Sequence, residues 1–168
     1  MEQIDNKASL GGLDLTDLKL LEALQTDASL SNQDLAERVH ISPPTCLRRV
    51  KRLRDLGLIE RQIALLNPDK LSALLGHGLT AIIEITLDRQ GAGHLEAFEE
   101  KVMLESAVQQ CYRVSPGPDF VLVVHVQDMP RYLALTQRLF TDDANVRNVK
   151  AFFSTKRSKF EPKVLLGL

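Results

Sequence analysis

The chain has 168 residues, of which 44% are hydrophobic and 26% are charged. These values are typical of globular proteins and exclude both a disordered chain and a collagen-like one. The 21 basic and 22 acidic residues leave a net charge of −1, but residues 31–66 carry seven Lys or Arg against four Asp or Glu, and residues 146–168 carry six against one. Such local asymmetry indicates a charged partner rather than a particular fold.

The sequence also indicates the cellular compartment of the protein. Its apolar runs are far shorter than the roughly 20 residues of a membrane-spanning helix, and residues 1–13 lack the basic-then-apolar order of a secretory signal. We therefore expect a cytoplasmic protein with no membrane partner. Cys46 and Cys111 form neither a CxxC pair nor a metal-ligand pattern, so we expect reduced thiols that pack as small hydrophobic groups.

The N-terminal third predicts three helices. Leucines at helical spacing follow Asp14, whose negative charge suits the start of a helix. Ser31 is the candidate N-cap of a short second helix. Ser42 and Pro43 begin a third helix, which is predicted to end at Gly57. The second and third helices are separated by only a few residues, so they predict a helix-turn-helix whose second member enters the DNA major groove.

The third helix carries the strongest charge signal. Five of the seven residues from 48 to 54 are cationic, and the other two, Val50 and Leu53, are predicted to form a buried stripe with Leu47 and Leu56. A charged helix face is often only solvated, but here the first acidic residue that would neutralise the run is Asp55. The pattern therefore favours nucleic-acid binding.

The predicted DNA contacts divide by chemistry. Three arginines suit bidentate contacts to guanine or phosphate, two further cations suit phosphate alone, and two hydroxyls lie near the helix start. In that order they are Arg48, Arg49 and Arg52; Lys51 and Arg54; Ser42 and Thr45. Residues 58–66 then predict either a two-stranded wing or one strand that pairs elsewhere, and a wing would bring Arg61 near the DNA backbone.

The C-terminal two thirds alternate strand and helix. Strands are predicted at residues 79–87, 108–114, 120–126 and 146–155. One helix has Leu95, Phe98, Val102 and Met103 on its apolar face, and the other follows Asp128 with Tyr132, Leu133, Leu135, Leu139 and Phe140. The order βαββαβ predicts a ferredoxin-like domain, with four antiparallel strands and both helices on one face. The tail, the N-terminal domain or a second copy of the sheet must cover the other face, and we favour the second copy.

These elements predict an α+β protein with a winged helix-turn-helix domain at residues 1–66, a linker at 67–78 and a ferredoxin-like domain at 79–168. The domains carry short motifs whose order and spacing, from about residue 13 to 160, resemble the Lrp/AsnC family of leucine-responsive, or feast/famine, regulators. The motifs are Leu35-Ala36-Glu37-Arg38-Val39, Ser42-Pro43, Cys46-Leu47, Arg49-Val50, Arg52-Leu53, Gly57-x-Ile59, Ala64-Leu65-Leu66-Asn67-Pro68, Cys111-Tyr112-x-Val114-Ser115 and Gly117-x-Asp119-Phe120.

The resemblance implies a transcriptional regulator whose N-terminal domain binds double-stranded DNA and whose C-terminal domain binds a small amino acid and dimerises. It further implies dimers that assemble into octamers or larger rings, a location at the nucleoid, and no cofactor besides the amino-acid effector. An α-amino acid needs an acceptor for its ammonium and donors for its carboxylate. Asp119 suits the first role or a turn cap equally, and backbone amides around Gly117 suit the second.

The predicted effector-binding residues follow from the position of this loop in the family, at a contact between dimers. They are Ser115, Gly117, Asp119 and Phe120, together with Ser154 and Thr155 from a neighbouring subunit. Two alternatives stay open: an architectural DNA-binding protein without an effector, and an enzyme related to tetrapyrrole decarboxylases, which share the two-part architecture. The sequence disfavours an enzyme, because His40, His77, His94 and His125 lack ligand spacing and no catalytic triad or phosphate loop occurs.

Overall fold

The computed structural model describes residues 12–76 and 78–168. Residues 1–11, which make up most of the segment tested above for a signal sequence, and His77 lie outside the described residues. The chain divides into two compact units. The first extends to Leu65 and includes Phe160–Leu168, and the second is Leu66–Lys159. This division differs from the predicted domains, because the last nine residues belong to the first unit and the predicted linker belongs entirely to the second.

The first unit has the three predicted helices, α1 (Leu15–Thr26), α2 (Asn32–Arg38) and α3 (Pro43–Asp55). The cap predicted at Ser31 forms, and Asp14, predicted as the acidic start of its helix, also acts as a cap, whereas the side chain of Ser42 makes no capping bond. The side chain of Asp14 accepts a hydrogen bond from an amide in the first turn of α1, and Ser31 does the same for α2. These bonds satisfy backbone donors that have no partner within a helix, so the local sequence fixes where the helices begin.

The core of the first unit corrects the predicted stripe of α3. Cys46, Val50 and Leu53 are buried, whereas Leu47 and Leu56 are 62% and 56% exposed. A helix advances about 100° per residue, so spacings of four and three keep one face, while repeated spacings of three drift off it. Eight buried residues form this core: Leu20, Ala23, Leu35, Ala36, Val39, Cys46, Val50 and Leu53. Cys46 and the half-buried Cys111 are both free thiols.

The C-terminal tail of the chain is bonded to the end of α1. The side-chain amide of Gln25 both donates to the Val164 carbonyl oxygen at 2.9 Å and accepts from the Val164 amide at 3.0 Å. Lys163 Nζ adds a 3.0 Å bond to Thr26 Oγ1. Phe160–Leu168 is therefore structurally a part of the first unit, although it follows the last strand of the second.

The segment between α3 and the sheet departs from the prediction. Residues 58–67 contain neither helix nor strand, so neither a strand-paired wing nor a single paired strand is formed there. Arg54 Nη2 donates to Gln62 Oε1 at 3.0 Å, and Arg61 is exposed. The predicted linker then contains a helix, α4 (Pro68–Leu75), which Asn67 caps. Proline at its first position and an Asn cap are a helix-start signal that the reading of residues 67–78 as a linker missed.

The second unit continues after α4 with six elements: β1 (Leu79–Leu87), α5 (Ala92–Met103), β2 (Val108–Arg113), β3 (Phe120–Val126), α6 (Met129–Thr136) and β4 (Val146–Phe153). The four strands form an antiparallel sheet with the order β2-β3-β1-β4, which confirms the ferredoxin-like prediction. A π-helical turn at Gln137–Thr141 extends α6. β4 ends two residues earlier than predicted.

One face of this sheet forms the second core. Phe120 of β3 is fully buried and lies 4.9 Å from the Phe98 ring of α5, centroid to centroid. Two residues predicted on apolar helix faces do not join the core: Met103 is 80% exposed and Leu133 is 59% exposed. Each lies about 100° around its helix from a buried neighbour, Val102 or Tyr132, so the apolar stripes are narrower than the residue types suggest.

The opposite face of the sheet carries exposed apolar side chains among polar ones such as Lys150. Ile82 on the central strand β1 pairs with Val123 on one side and Phe152 on the other. Ile82 and Phe152 are 43% and 53% exposed, and Tyr112 at the β2 edge is 53% exposed. We call this surface the outer face. It follows from strand alternation, since every second residue of β1, β3 and β4 points away from the core.

Candidate nucleic-acid interface and effector loop

The turn between α2 and α3 is held by hydrogen bonds to backbone carbonyl oxygens. The Ile41 amide donates to the Ala36 carbonyl oxygen at 3.0 Å, and Asn32 Nδ2 donates to the Pro43 carbonyl oxygen at 2.9 Å. His40 has a φ of 58°, which is a left-handed conformation that few non-glycine residues adopt. These contacts connect the start of α2 to the start of α3 and so fix the angle at which α3 leaves the turn.

The start of α3 presents two hydroxyls. Ser42 is at the N-cap position, but its side chain makes no capping bond; instead its Oγ lies 2.8 Å from Thr45 Oγ1. Pro43 and Pro44 occupy the first two helical positions and have no amide hydrogen to satisfy. Ser42 is exposed and Thr45 is half-buried, and both stay predicted DNA contacts.

The arginines of α3 divide into two groups. Arg49 Nη1 donates to Asp17 Oδ1 at 2.7 Å and to Asp14 Oδ1 at 3.0 Å. Arg52 Nη1 donates to Asp17 Oδ2 at 3.0 Å, and its Nη2 donates to the Gly12 carbonyl oxygen at 2.6 Å. These two predicted DNA contacts are thus bonded to the α1 side of the unit. We call Asp14, Asp17, Arg49 and Arg52 the α1–α3 cluster.

Electrostatics in the α1–α3 cluster are consistent with ion pairing. The hydrogen bond to Asp17 raises the pKa of Arg49, outweighing the effect of its partial burial. Burial alone would raise the pKa of Asp14, but bonds from the Asp17 amide and from Arg49 bring that pKa below its ordinary value. Opposite charges within about 4 Å favour the ionised form of both groups, which accounts for the directions of the Arg49 and Asp14 shifts.

Three cations of α3 remain on its exposed surface. Arg48 and Lys51 are exposed and make no hydrogen bond or ion pair with any other described residue. Arg54 is exposed and bonds only the neutral Gln62. Leu47 lies on the same exposed side, so an apolar side chain adjoins the cations. The sequence missed Leu47 as a surface residue, and the signal that identifies it is the spacing of its buried neighbours Cys46, Val50 and Leu53.

The loop at residues 115–119, where the sequence predicts effector contacts, follows β2. Asp119 Oδ2 accepts a 2.7 Å hydrogen bond from the Leu87 amide at the end of β1 and a 3.3 Å bond from Gln90 Nε2. The Asp119 amide donates to the Ile85 carbonyl oxygen at 2.8 Å. Asp119 therefore joins the start of β3 to the end of β1. Ser115 is exposed, and Gly117, also exposed, has a φ of 124° that favours glycine.

The structure does not bring all six predicted effector residues together. Phe120 is fully buried in the core, so its ring has no surface to offer a ligand. Ser154 follows β4 and bonds the Thr80 carbonyl oxygen at the start of β1, whereas Asp119 bonds the end of β1. At about 3.4 Å per residue these positions are roughly 20 Å apart. Ser154 and Thr155 thus lie at the opposite end of the sheet from the loop of the same chain.

A second loop adjoins Asp119, and sequence reasoning missed it. Gln90 contacts Asp119, and the neighbouring Arg89 amide donates to Asn145 Oδ1 at 2.8 Å. Asn145 Nδ2 returns a bond to the Arg89 carbonyl oxygen at 3.2 Å. Three loops, at residues 88–91, 115–119 and 142–145, therefore meet at one end of the sheet. The antiparallel strand order brings them together, since β1 ends where β3 and β4 begin.

Two family models match the chain. A winged helix-turn-helix DNA-binding model matches residues 13–60, and the Lrp/AsnC ligand binding domain matches residues 80–164. The chain belongs to the Lrp/AsnC family. The match confirms the family resemblance, the α+β fold and the combination of a DNA-binding with a ligand-binding domain.

Similar proteins support the assignment to the Lrp/AsnC family. An uncharacterized HTH-type transcriptional regulator of Haemophilus influenzae is 34% identical over 92% of this chain and 89% of its own. The leucine-responsive regulatory protein of that organism is 41% identical over 80% of this chain and 76% of its own. The crystal structure of a Neisseria meningitidis transcriptional regulator in complex with L-Met has a TM-score of 0.79 and 31% identity, covering 92% of this chain and 97% of that one.

Membership of the Lrp/AsnC family makes the protein a DNA-binding transcriptional regulator and not an enzyme. In the described part of the chain, no helix is long and apolar enough to cross a membrane. Within residues 12–76 and 78–168, no group of three His, Cys, Asp or Glu side chains is arranged to hold a metal ion.

The bonds of Asp119 predict the effect of Asp119→Ala. Removing the carboxylate leaves the Leu87 amide without its partner at a half-buried site, so we expect a loss of about 1–3 kcal/mol in the free energy of unfolding. Urea denaturation without any amino acid present measures it. Ser115→Ala, in the same loop, is the control and should be near neutral. Equal stability of Asp119→Ala and the parent chain would show that Asp119 has no structural role.

Proposed function

We propose that this regulator reads operator DNA through α3 and that a small amino acid, bound where the three sheet-end loops meet, changes its DNA binding or its assembly. The observation that carries the DNA half is the exposed, uncompensated pair Arg48 and Lys51 on a helix with an ordered start. The ligand half is supported by the Lrp/AsnC ligand binding domain match and by the L-Met complex of a structural neighbour.

The proposed DNA contacts are Ser42, Thr45, Arg48, Lys51 and Arg54. Arg48 suits bidentate donation to guanine, and Lys51 and Arg54 suit phosphates. Leu47 joins them as an apolar contact for a thymine methyl group. Arg49 and Arg52, which the sequence placed in this set, act from the α1–α3 cluster instead. The set thus mixes base-reading and phosphate-binding groups, as sequence-specific recognition requires.

The proposed effector contacts are Ser115, Gly117 and Asp119, with Gln90 added from the neighbouring loop. One oxygen of Asp119 is occupied by the Leu87 amide, which leaves Oδ1 as the acceptor for an ammonium group. Ser154 and Thr155 complete the site only from a second subunit, because in their own chain they lie at the far end of the sheet. The proposed site therefore depends on assembly.

The outer face supports a homodimer. Ile82, Phe152 and Tyr112 are exposed apolar side chains on this face, and exposed apolar surface on a folded protein marks protein contacts. In a twofold dimer, two copies of α3 would reach successive major grooves, so the operator is a degenerate palindrome. Dimers then assemble to octamers or larger, and binding to chromosomal DNA places the protein at the nucleoid.

The DNA assignment predicts that Arg48→Ala weakens operator binding by about 1–3 kcal/mol and relaxes base preference, because a bidentate base contact is lost. Lys51→Ala should weaken operator and random DNA alike. Fluorescence anisotropy with both DNAs measures this. Lys19→Ala, an exposed charge on α1, is the control and should bind as the parent does. Unchanged operator affinity in Arg48→Ala would remove α3 as the reading helix.

The dimer assignment predicts that Phe152→Lys abolishes the dimer, because an ammonium group would be buried in an apolar contact. Light scattering coupled to size exclusion measures the mass in solution. Met103→Lys, at a more exposed apolar position on α5, is the control and should keep the parent mass. An unchanged mass in Phe152→Lys places the dimer contact elsewhere.

The effector assignment predicts that at least one of the twenty amino acids changes operator affinity or oligomeric state. A gel-shift panel on the protein's own upstream DNA, with and without each amino acid, measures affinity, and light scattering measures mass. The D-enantiomer of an active amino acid is the control, since it has the same charge and a different shape. If no amino acid has an effect, the protein is an architectural DNA-binding protein and the effector proposal fails.

A further inference from the structure

Asp17 is unusual in its burial. Among the described residues with a polar or charged side chain, it is the one with no exposed surface, whereas its partners Arg49 and Arg52 have side chains that are 23% and 45% exposed. A buried carboxylate is tolerated only when charge and hydrogen bonds replace its hydration. Asp17 has both: one arginine bonds each oxygen, and the Asp14 amide donates to Oδ2 at 3.2 Å.

The α1–α3 cluster holds its arginines on one flank of α3. Both guanidinium groups point towards α1, because their Nη atoms end on Asp14, Asp17 and the Gly12 carbonyl oxygen. Arg48 and Lys51 lie on the side opposite the buried stripe and contact no carboxylate among the described residues. The five cations of α3 are therefore not equivalent, since two are neutralised by the two carboxylates and three are not.

We propose that Asp17 is a specificity-determining positioning residue: it holds Arg49 and Arg52 against α1, sets the orientation of α3, and withholds two guanidinium groups from DNA phosphates. The inference rests on the proposed role of α3 as the DNA-reading helix. Asp17 itself touches no DNA in this scheme and acts through the arginines.

The effect on specificity follows from the salt dependence of DNA binding. Each phosphate that a protein neutralises adds about −0.9 to the slope of log K against log salt concentration, whatever the base sequence. Two more free arginines beside Arg48 and Lys51 would strengthen binding to random DNA without reading any base. Neutralising the two arginines inside the protein lowers its affinity for random DNA. The same ion pairs fix the orientation of α3, which makes the base contacts.

The first test compares two charge variants of the full chain. Lys51→Gln should reduce the magnitude of the salt slope by about 0.9 for each DNA-bound chain, because one phosphate contact and its counterion release are lost. Arg52→Gln should leave the slope for random DNA unchanged, because that charge is already compensated by Asp17. Fluorescence anisotropy titrations from 50 mM to 200 mM salt, with an operator and a random duplex, measure both slopes.

The second test releases the arginines. Asp17→Asn keeps the shape of the side chain and removes its charge, so the slope should become more negative by about 0.9 for each arginine that reaches a phosphate. The ratio of operator to random affinity should fall. Adding Arg52→Gln to Asp17→Asn should bring the slope back towards the parent value. Glu37→Gln on α2, which contacts no arginine, is the control for the change in net charge.

The outcomes separate the inference from the proposed function. An unchanged slope in Lys51→Gln overturns α3 as the DNA-reading helix. A loss of slope in Arg52→Gln equal to that in Lys51→Gln overturns the inference alone, because Arg52 would then contact DNA directly. An unchanged slope and affinity ratio in folded Asp17→Asn also overturns it. If Asp17→Asn fails to fold, the comparison of Lys51→Gln with Arg52→Gln still tests the inference.

Discussion

A carboxylate in a protein interior has lost its hydration, and the cost of several kcal/mol must be offset by nearby charge and hydrogen bonds. In this chain the requirement applies to Asp17, which satisfies it with two arginines 32 and 35 residues further along. The packing of α1 against α3 and the direction of the remaining cations both depend on that arrangement. Once Arg49 and Arg52 are committed to Asp17, the surface of α3 that is free to meet DNA is the one that carries Leu47, Arg48 and Lys51.

In the second unit, the alternation of side chains along the strands decides which residues form the core. One set of side chains from β1, β3 and β4 forms the core with α5 and α6, and the other set forms the outer face. The strand order also brings residues 88–91, 115–119 and 142–145 to one end of the sheet, while Ser154 and Thr155 are at the other. A proposed effector site that uses both ends requires two chains, so ligand binding and assembly are linked by topology.

Helices and strands were predictable because their signals are local. Caps at Asp14 and Ser31, a proline at the start of α3 and alternation in β3 each act within a few residues. Two features that the sequence predicted wrongly depend on residues further apart in the chain. Leu47 was placed in the core because a spacing of three approximates a helical face over one turn but drifts over three. The role of Arg49 and Arg52 could not be read from α3 alone, because their partners are on α1. The helix at Pro68–Leu75 does have a local signal, because Asn67-Pro68 both ends the preceding segment and begins a new helix.

The attachment of the tail to α1 has a topological consequence. The chain leaves the first unit after Leu65 and returns to it at Phe160, so the sheet domain is an insertion with two covalent connections rather than an appendage on one hinge. The outgoing connection continues from α3, and the returning one is fastened to Gln25 and Thr26 at the end of α1. The two covalent connections of the sheet domain therefore lead to the two helices that Asp17 joins: to α3 along the chain itself, and to α1 through the hydrogen bonds of the tail.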